Sequence, residues 1–384
     1  MKLSSIEIKD DHIFENLQLQ FPADADNIVF IGSNGSGKTR LIQHIGLTLY
    51  LLFKIRQKDI LLKLFQFVGN KIILNNVTIE LFDESVKRTN FKNQKKHLVI
   101  LSYSAKSIIP SNFTDSNLYA LTIPVPTNFD MVYDWFVGLE GTESRRRLRV
   151  NDSFRHPELE CIRAVVFQGM CSLTDGEPVF TDLQTEYNDN VTDGLVTTWL
   201  SIKKNERQIN VNQLSGGEIR VLVLFIDIAR RLITAAKEND NTDYLLGEGI
   251  VLIDEIELHL HPNWQRNLLP TLNMLFPNVQ FIVTTHSPQV LSSVPNGCVF
   301  SLDNGEVFEV NTYGKTTDYI LQTVFGDVGR PREIQQKLEA YFEFIKTNQT
   351  EAASNARQEL ESLIGTDDPD LIKADILIRR KTLC

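Results

Sequence analysis

Cysteine is scarce in this chain of 384 residues: Cys161, Cys171, Cys298 and Cys384 are the whole complement. No two stand at a metal-ligand spacing and no set suggests a disulfide framework. Zinc ribbons and cross-linked secreted scaffolds are therefore excluded, and the thiols are read as free. Long apolar runs are missing too. The most apolar early stretch, Leu41–Phe53, is interrupted by His44 and Gly46 and falls short of the roughly 18–20 residues a membrane helix needs. The opening MKLSSIEIKDDH lacks the basic-then-apolar pattern of a secretory signal. Together these absences predict a cytoplasmic protein with no membrane partner. A basic surplus is also lacking: 39 Lys and Arg face 49 Asp and Glu, for a net charge of -10. Binding nucleic acid through an overall positive field is thus disfavoured, and any contact would run through a local patch or a partner. Repeats, low-complexity tracts and sustained heptads are absent as well. What remains, 42% apolar and 23% charged residues, is the composition of an ordinary globular protein of one or two domains.

The patterning predicts an α/β fold. Leu3, Ile6 and Ile8, then Phe14, Leu17, Leu19 and Phe21, recur with period two, as in two antiparallel strands. Asn27–Ile31 reads as a buried strand, followed by a glycine-rich turn and a helix over Thr39–Phe53. Residues 55–205 form a long middle region, read as an insertion into the core. Its expected elements are strands at Ile72–Phe82 and Leu98–Ser104, a helix from Met131 to about Arg149, and a segment around Glu158–Phe167. Helices over Gly217–Leu232 and Asn263–Leu275 then alternate with strands at Gly249–Asp254 and Val279–Thr285, implying a mostly parallel sheet. Asp303-Asn304-Gly305 between apolar runs signals a hairpin over Cys298–Phe308. After Arg330, Ile334, Leu338, Tyr341, Phe342 and Ile345 share one helical face; Ala352–Leu363 repeats that spacing, and Asp368-Pro369 opens a third helix. The expected layout is an α/β domain over 1–328 (core 1–54 and 206–328, insertion 55–205) and a helical module over 329–384.

Four motifs carry chemistry. Gly32-Ser33-Asn34-Gly35-Ser36-Gly37-Lys38-Thr39 fits the Walker A pattern and sits between a strand and a helix, as that loop requires. Its glycines let successive backbone N–H groups turn toward phosphates, and the helix N-terminus adds free donors. Lys38 is assigned to the β- and γ-phosphates and the Thr39 hydroxyl to Mg2+. Gly249-Ile-Val-Leu-Ile-Asp254-Glu255 ends a strand in two carboxylates, the Walker B pattern. Asp254 is assigned to the metal and Glu255 to orienting or deprotonating the attacking water. Thr284-Thr285-His286-Ser287 follows the next apolar strand and resembles the switch-histidine segment of the ABC-type ATPases, which implies a γ-phosphate contact for His286. Leu214-Ser215-Gly216-Gly217-Glu218 opens a helix, and its Ser and Gly pair would let a γ-phosphate approach closely.

That last motif resembles the LSGGE signature of the ABC-type ATPases, and His286 resembles their switch histidine. The resemblance implies the ABC-type P-loop sheet with flanking antiparallel strands, and ATP and Mg2+ as ligands. It also implies a head-to-tail pair in which Ser215, Gly216, Gly217 and Glu218 complete the partner's site. Two parts of that pattern are weak: Tyr103-Ser104-Ala105 or Gln168 stands for the Q-loop, and Phe14 is the candidate for stacking on adenine. The run Ile253-Asp-Glu-Ile-Glu-Leu-His-Leu-His-Pro-Asn-Trp-Gln265 lacks the S-A-L-D segment of transporter subunits and resembles the RecF- and OLD-like soluble ATPases. His259 and His261, two apart, are read as interface residues near the nucleotide, with a metal pair as the alternative. Asp367, Asp368 and Asp370 read as a helix cap and not as metal ligands, so a Toprim nuclease after the core is not expected in this chain.

The tail is more specific. Thr316–Gly326, Arg330–Leu338 and Gly365–Lys381 resemble the PtuA-type ATPases of Septu antiphage systems and of some retrons. This implies a switch subunit with slow ATP turnover, a separate PtuB-like HNH nuclease that cuts, and, in a retron, a reverse transcriptase with its RNA–DNA product. The alternative is a RecF-like repair ATPase that binds DNA directly. Arg145-Arg-Arg-Leu-Arg149 is the densest basic cluster. It is suited to nucleic-acid phosphates or an acidic partner, or is a solvated helix end. The C-terminal helices are a candidate docking or oligomerisation surface, or a cover for the core.

Overall fold

The computed structural model describes residues 2–54, 65–68, 71–74, 77–81, 99–103, 129–150, 152–188, 198–237, 242–294, 297–303, 305–326 and 329–382. They divide into two compact units, Met1–Thr317 and Asp318–Cys384.

In the first unit, β1 (Leu3–Lys9) and β2 (Asn16–Gln20) pair antiparallel, with Ile6 opposite Leu19 and Ile8 opposite Leu17. The alternating apolar positions point inward, as the period-two pattern requires. Strand β3 (Asn27–Gly32) leads through the Gly32–Gly37 turn into α1 (Lys38–Lys54). The middle region contributes β4 (Phe65–Val68), β5 (Lys71–Leu74) and β6 (Val77–Leu81), which extend the antiparallel sheet in the order β2-β1-β6-β5-β4. The expected single strand over Ile72–Phe82 is therefore two antiparallel ones. Asn75 and Asn76, poor strand formers within an apolar run, lie outside the described residues. Strand β7 (Val99–Tyr103) is followed by helices α2 (Phe129–Arg149) and α3 (Pro157–Leu173). A small sheet β10-β9-β8, from β8 (Phe180–Tyr187), β9 (Thr198–Lys204) and β10 (Arg207–Asn210), had no counterpart among the expected elements.

Next come α4 (Gly216–Lys237), β11 (Gly249–Ile253), α5 (Pro262–Leu275), β12 (Val279–Thr284), the short α6 (Pro288–Ser292), β13 (Gly297–Asp303) and β14 (Glu306–Val310). They complete a second sheet of order β14-β13-β3-β12-β11-β7. Its strands run parallel except β14, which pairs antiparallel with β13. Parallel strands covered on both faces read as unbroken apolar runs, and every residue of β11 and β12 is buried. On one face Ile28, Phe30, Ile250, Leu252 and Ile282 pack with Leu41, Ile42 and Ile45 of α1 and with Ile6, Ile8 and Leu19 of the antiparallel sheet. Each such side chain stabilises the fold by about 1.5–3 kcal/mol. Helix α3 crosses α4 at Gly169, where a Cβ would lie 2.4 Å from the Phe225 ring. The consequence for function is that β3, β12 and β11 are adjacent and end together, with Phe30 opposite Thr284 and Ile253 opposite Val283. Ligands of open α/β sheets bind at such carboxyl ends.

In the second unit, α7 (Thr317–Thr323) precedes α8 (Arg332–Lys346), α9 (Thr350–Ile364) and α10 (Pro369–Thr382). Leu338, Tyr341, Ile345, Ala353, Leu360, Leu371 and Ala374 form its core. Asp368 caps α10, accepting from the Asp370 N–H at 2.9 Å, and takes the Arg330 guanidinium at 2.8 Å. Among the described residues, no helix is long and apolar enough to cross a membrane.

Candidate nucleotide site

The Gly32–Gly37 turn is shaped by glycine where no other residue fits. Gly32 has φ +149°, and a Cβ there would lie 2.3 Å from the Leu302 carbonyl oxygen. Gly37 has φ +98°, and a Cβ would lie 2.6 Å from the Phe14 ring. Phe14 itself is fully buried. It fills the core behind the loop and cannot stack on a base, which corrects the expectation for that residue. Lys38 donates to the carbonyls of Gly32 and Ser33, both at 2.9 Å. Burial lowers its pKa, against the pull of the Asp254, Glu255 and Glu257 carboxylates. The Ser36 hydroxyl is buried with no hydrogen-bond partner, an opening that a phosphate oxygen would satisfy.

The two Walker motifs meet through side chains. Thr39 Oγ1 donates to Asp254 Oδ2 at 3.0 Å. Thr284 Oγ1 donates to Asp254 Oδ1 at 2.6 Å and accepts from the Glu255 N–H at 2.8 Å. Thr284, at the end of β12, thus joins the strand that leads to His286 to both Asp254 and Glu255. A threonine hydroxyl beside a carboxylate is the hard oxygen pair that Mg2+ takes, the rest of its octahedron coming from water and phosphate. With the orphaned Ser36 hydroxyl and the glycine cradle, these residues fit a magnesium nucleotide. Among the described residues no group of three or more His, Cys, Asp and Glu could hold another metal.

The loop after β11 is irregular by construction. Glu255 has φ +50° and His259 φ +64°, conformations that cost non-glycine residues about 1–2 kcal/mol each. Glu257, not anticipated from the sequence, accepts from the His286 N–H at 2.6 Å and so fixes the backbone of that residue. Burial and the nearby Lys38 charge lower the His286 pKa, against the carboxylates. Gln265 bonds the Ser287 hydroxyl at 2.7 Å. His261 caps α5, its Nδ1 accepting from Asn263 N–H at 3.4 Å.

The signature opens α4 with a capping box. Glu218 Oε2 accepts from the Ser215 N–H at 2.8 Å, and the Glu218 N–H donates back to Ser215 Oγ at 3.3 Å. Lys204 of β9 holds the other carboxylate oxygen at 2.6 Å. Burial alone would raise the Glu218 pKa, but the bonds from Lys204 and Ser215 outweigh it and the net shift is downward. Ser215 and Gly216 are exposed, and a Cβ at Gly216 would meet nothing within 4 Å. Arg220, one turn into α4, donates to the carbonyls of Glu255 at 2.9 Å, Asp254 at 3.3 Å and Leu258 at 3.4 Å.

Behind the site, Tyr103 at the end of β7 donates to the buried Asp227 at 3.0 Å, and Arg230 and Arg231 close on the same carboxylate. The Q-loop position at Ser104–Ala105 lies outside the described residues, and Gln168 is exposed in the middle of α3. Of the basic cluster at the end of α2, Arg147 is committed to the buried Glu143 and to the Phe154 carbonyl. Arg146 lies over the Phe154 ring at 5.1 Å, while Arg145 and Arg149 are exposed.

The retron Ec83 probable ATPase of Escherichia coli is 38% identical over 188 residues, 47% of this chain and 34% of that protein. The retron Vc95 probable ATPase of Vibrio cholerae is 48% identical over 95 residues, 25% of this chain and 18% of that one. The Septu protein PtuA of Bacillus mycoides is 24% identical over 318 residues, 79% of this chain and 41% of that protein. The chain thus spans less than half the length of each of these curated relatives. Among solved structures, the SMC head bound to the C-winged helix domain of ScpA aligns at 13% identity and a TM-score of 0.41, covering 81% of this chain and 98% of that one. A family model, "AAA domain, putative AbiEii toxin, Type IV TA system", matches residues 28–292, from β3 through α6. The chain belongs to that AAA-domain family and is similar to the retron and Septu PtuA ATPases.

Proposed function

We propose that this chain binds and hydrolyses ATP with Mg2+ between two head-to-tail copies of itself, as the switch subunit of an antiphage defence complex that governs an HNH nuclease. The observation that carries the proposal is the exposed signature. Ser215 and Gly216 face open space with their helix already capped by Glu218, which suits them to a nucleotide brought by another chain. Bound Mg2+ would draw charge from the phosphates, with Thr39 and Asp254 as its protein ligands. The residues of the chain do the remainder. Gly32 to Gly37 and Lys38 hold the phosphates, Glu255 orients and deprotonates the attacking water, and His286 contacts the γ-phosphate. Ser215 to Glu218 close the site from the partner. Turnover is slow in this reading, because hydrolysis serves to end a state.

The names of the relatives support the defence reading, and cutting is assigned to the separate HNH protein. A retron setting would add a reverse transcriptase and its RNA–DNA. Arg145 and Arg149 are the arginines left to meet nucleic-acid phosphates. The test is an affinity pull-down from the native operon, with mass spectrometry and nucleic-acid extraction. Recovery of an HNH protein, with or without a reverse transcriptase, is the expected result. Recovery of the chain alone, binding DNA directly in an ATP-dependent way, would replace this reading with a RecF-like repair ATPase.

A further inference from the structure

Glu255 carries the hydrolytic assignment, yet its backbone stands in a conformation it would not adopt alone, at φ +50°. Such strain persists only where neighbours over-determine it. Two elements do so. On one side Thr284 of β12 accepts from the Glu255 N–H at 2.8 Å. On the other, Arg220 of the signature helix donates to the Glu255 carbonyl at 2.9 Å and to those of Asp254 and Leu258. The planar guanidinium is suited to this work. Its donors fan out in one plane and reach several carbonyls at once, and its charge offsets the Asp254, Glu255 and Glu257 carboxylates around it. The same helix touches the same loop a second time. Gly217 packs so closely on His259, the other left-handed residue, that a Cβ would lie 2.3 Å from the His259 carbonyl oxygen. Gly217 and Arg220 stand about one turn apart on α4, immediately after the exposed Ser215 and Gly216. Displacing the start of α4 would therefore displace the backbone of Glu255.

We propose that Arg220 is a positioning residue that ties the signature helix to the loop carrying Glu255, so that engagement of the signature sets whether Glu255 stands where hydrolysis needs it. The part played by engagement rests on the head-to-tail reading above; the hold of Arg220 on Glu255 does not. One experiment separates them: steady-state ATPase kinetics of wild type, Arg220→Ala, Arg220→Lys, Glu255→Gln and the Arg220→Ala/Glu255→Gln double variant, with sedimentation of each sample with and without ATP. The expected result is a loss in kcat of about 30- to 100-fold in Arg220→Ala, since small misplacements of a reacting group cost that much. KM should stay within about threefold, and ATP-driven pairing should be retained. Arg220→Lys should restore the fold but only part of kcat, because one ammonium cannot span three carbonyls. The double variant should be no slower than Glu255→Gln alone, as expected for residues acting through one group. An unchanged kcat in Arg220→Ala, full recovery in Arg220→Lys, or additive losses in the double variant would overturn the proposal even if wild type pairs with ATP. A selective kcat loss in Arg220→Ala, together with a wild type that never pairs with ATP, would overturn the signature coupling and the head-to-tail reading, and leave only the hold on Glu255.

Discussion

Lys38 is folded back on the carbonyls of its own loop, and phosphate would replace those acceptors. Lys38→Met removes a flexible cation from the cradle and should weaken ATP binding by about 100-fold or more, as read by calorimetry, with the melting temperature little changed. Gly217→Ala forces a methyl group against the His259 carbonyl. It should lower unfolding free energy by about 1–3 kcal/mol in urea and depress ATPase activity together with it. Histidine sets a pH dependence. Burial lowers the pKa of His44, against its bond to Asp11, and that of His286. A depressed folded pKa means the unfolded chain binds the proton more readily. Stability is then fully present above about pH 6.5 and falls as pH drops through the folded values. Urea unfolding at pH 7 and pH 5 should show this loss, and His44→Gln with His286→Gln should flatten it. Equal slopes in the variant would contradict the assignment.

At the scale of elements, the Tyr103–Asp227–Arg230–Arg231 network joins the end of β7 to α4. Tyr103→Phe removes one buried hydrogen bond and should cost about 0.5–1.5 kcal/mol, measured by urea unfolding. The alternation around Ile6 and Leu19, the unbroken run of β11 and the largely apolar β12 made these strands legible, because one buried face or two dictate those patterns. The Walker and signature residues were legible for a similar reason: a phosphate cradle needs glycine at fixed offsets. Thr284, Glu257 and Arg220 were not, because each acts through a backbone group or carboxylate far away in sequence. Phe14 misled because an aromatic near a nucleotide loop can equally serve the core behind it. The sheet of β8, β9 and β10 was missed because its short strands carry mixed polarity, and Lys204 shows its use in holding the signature's Glu218.

For the whole molecule, the acidic surplus makes any encounter with nucleic acid local and salt-dependent. Replacing Arg145 and Arg149 by Glu should abolish such binding and its salt slope, and binding with an unchanged slope would remove the cluster from the account. Arg147→Glu alone should destabilise the fold, since it removes the nearest cation of the buried Glu143 and sets a second carboxylate beside it. The central claim is that one chain's signature completes another chain's nucleotide site. Sedimentation velocity of wild type, Glu255→Gln and Ser215→Arg, each with and without ATP and Mg2+, tests it most directly. The account predicts a stable ATP-dependent dimer for Glu255→Gln, a transient one for wild type, and a monomer for Ser215→Arg that still binds ATP. Equal association of all three proteins, whatever the nucleotide, would contradict it.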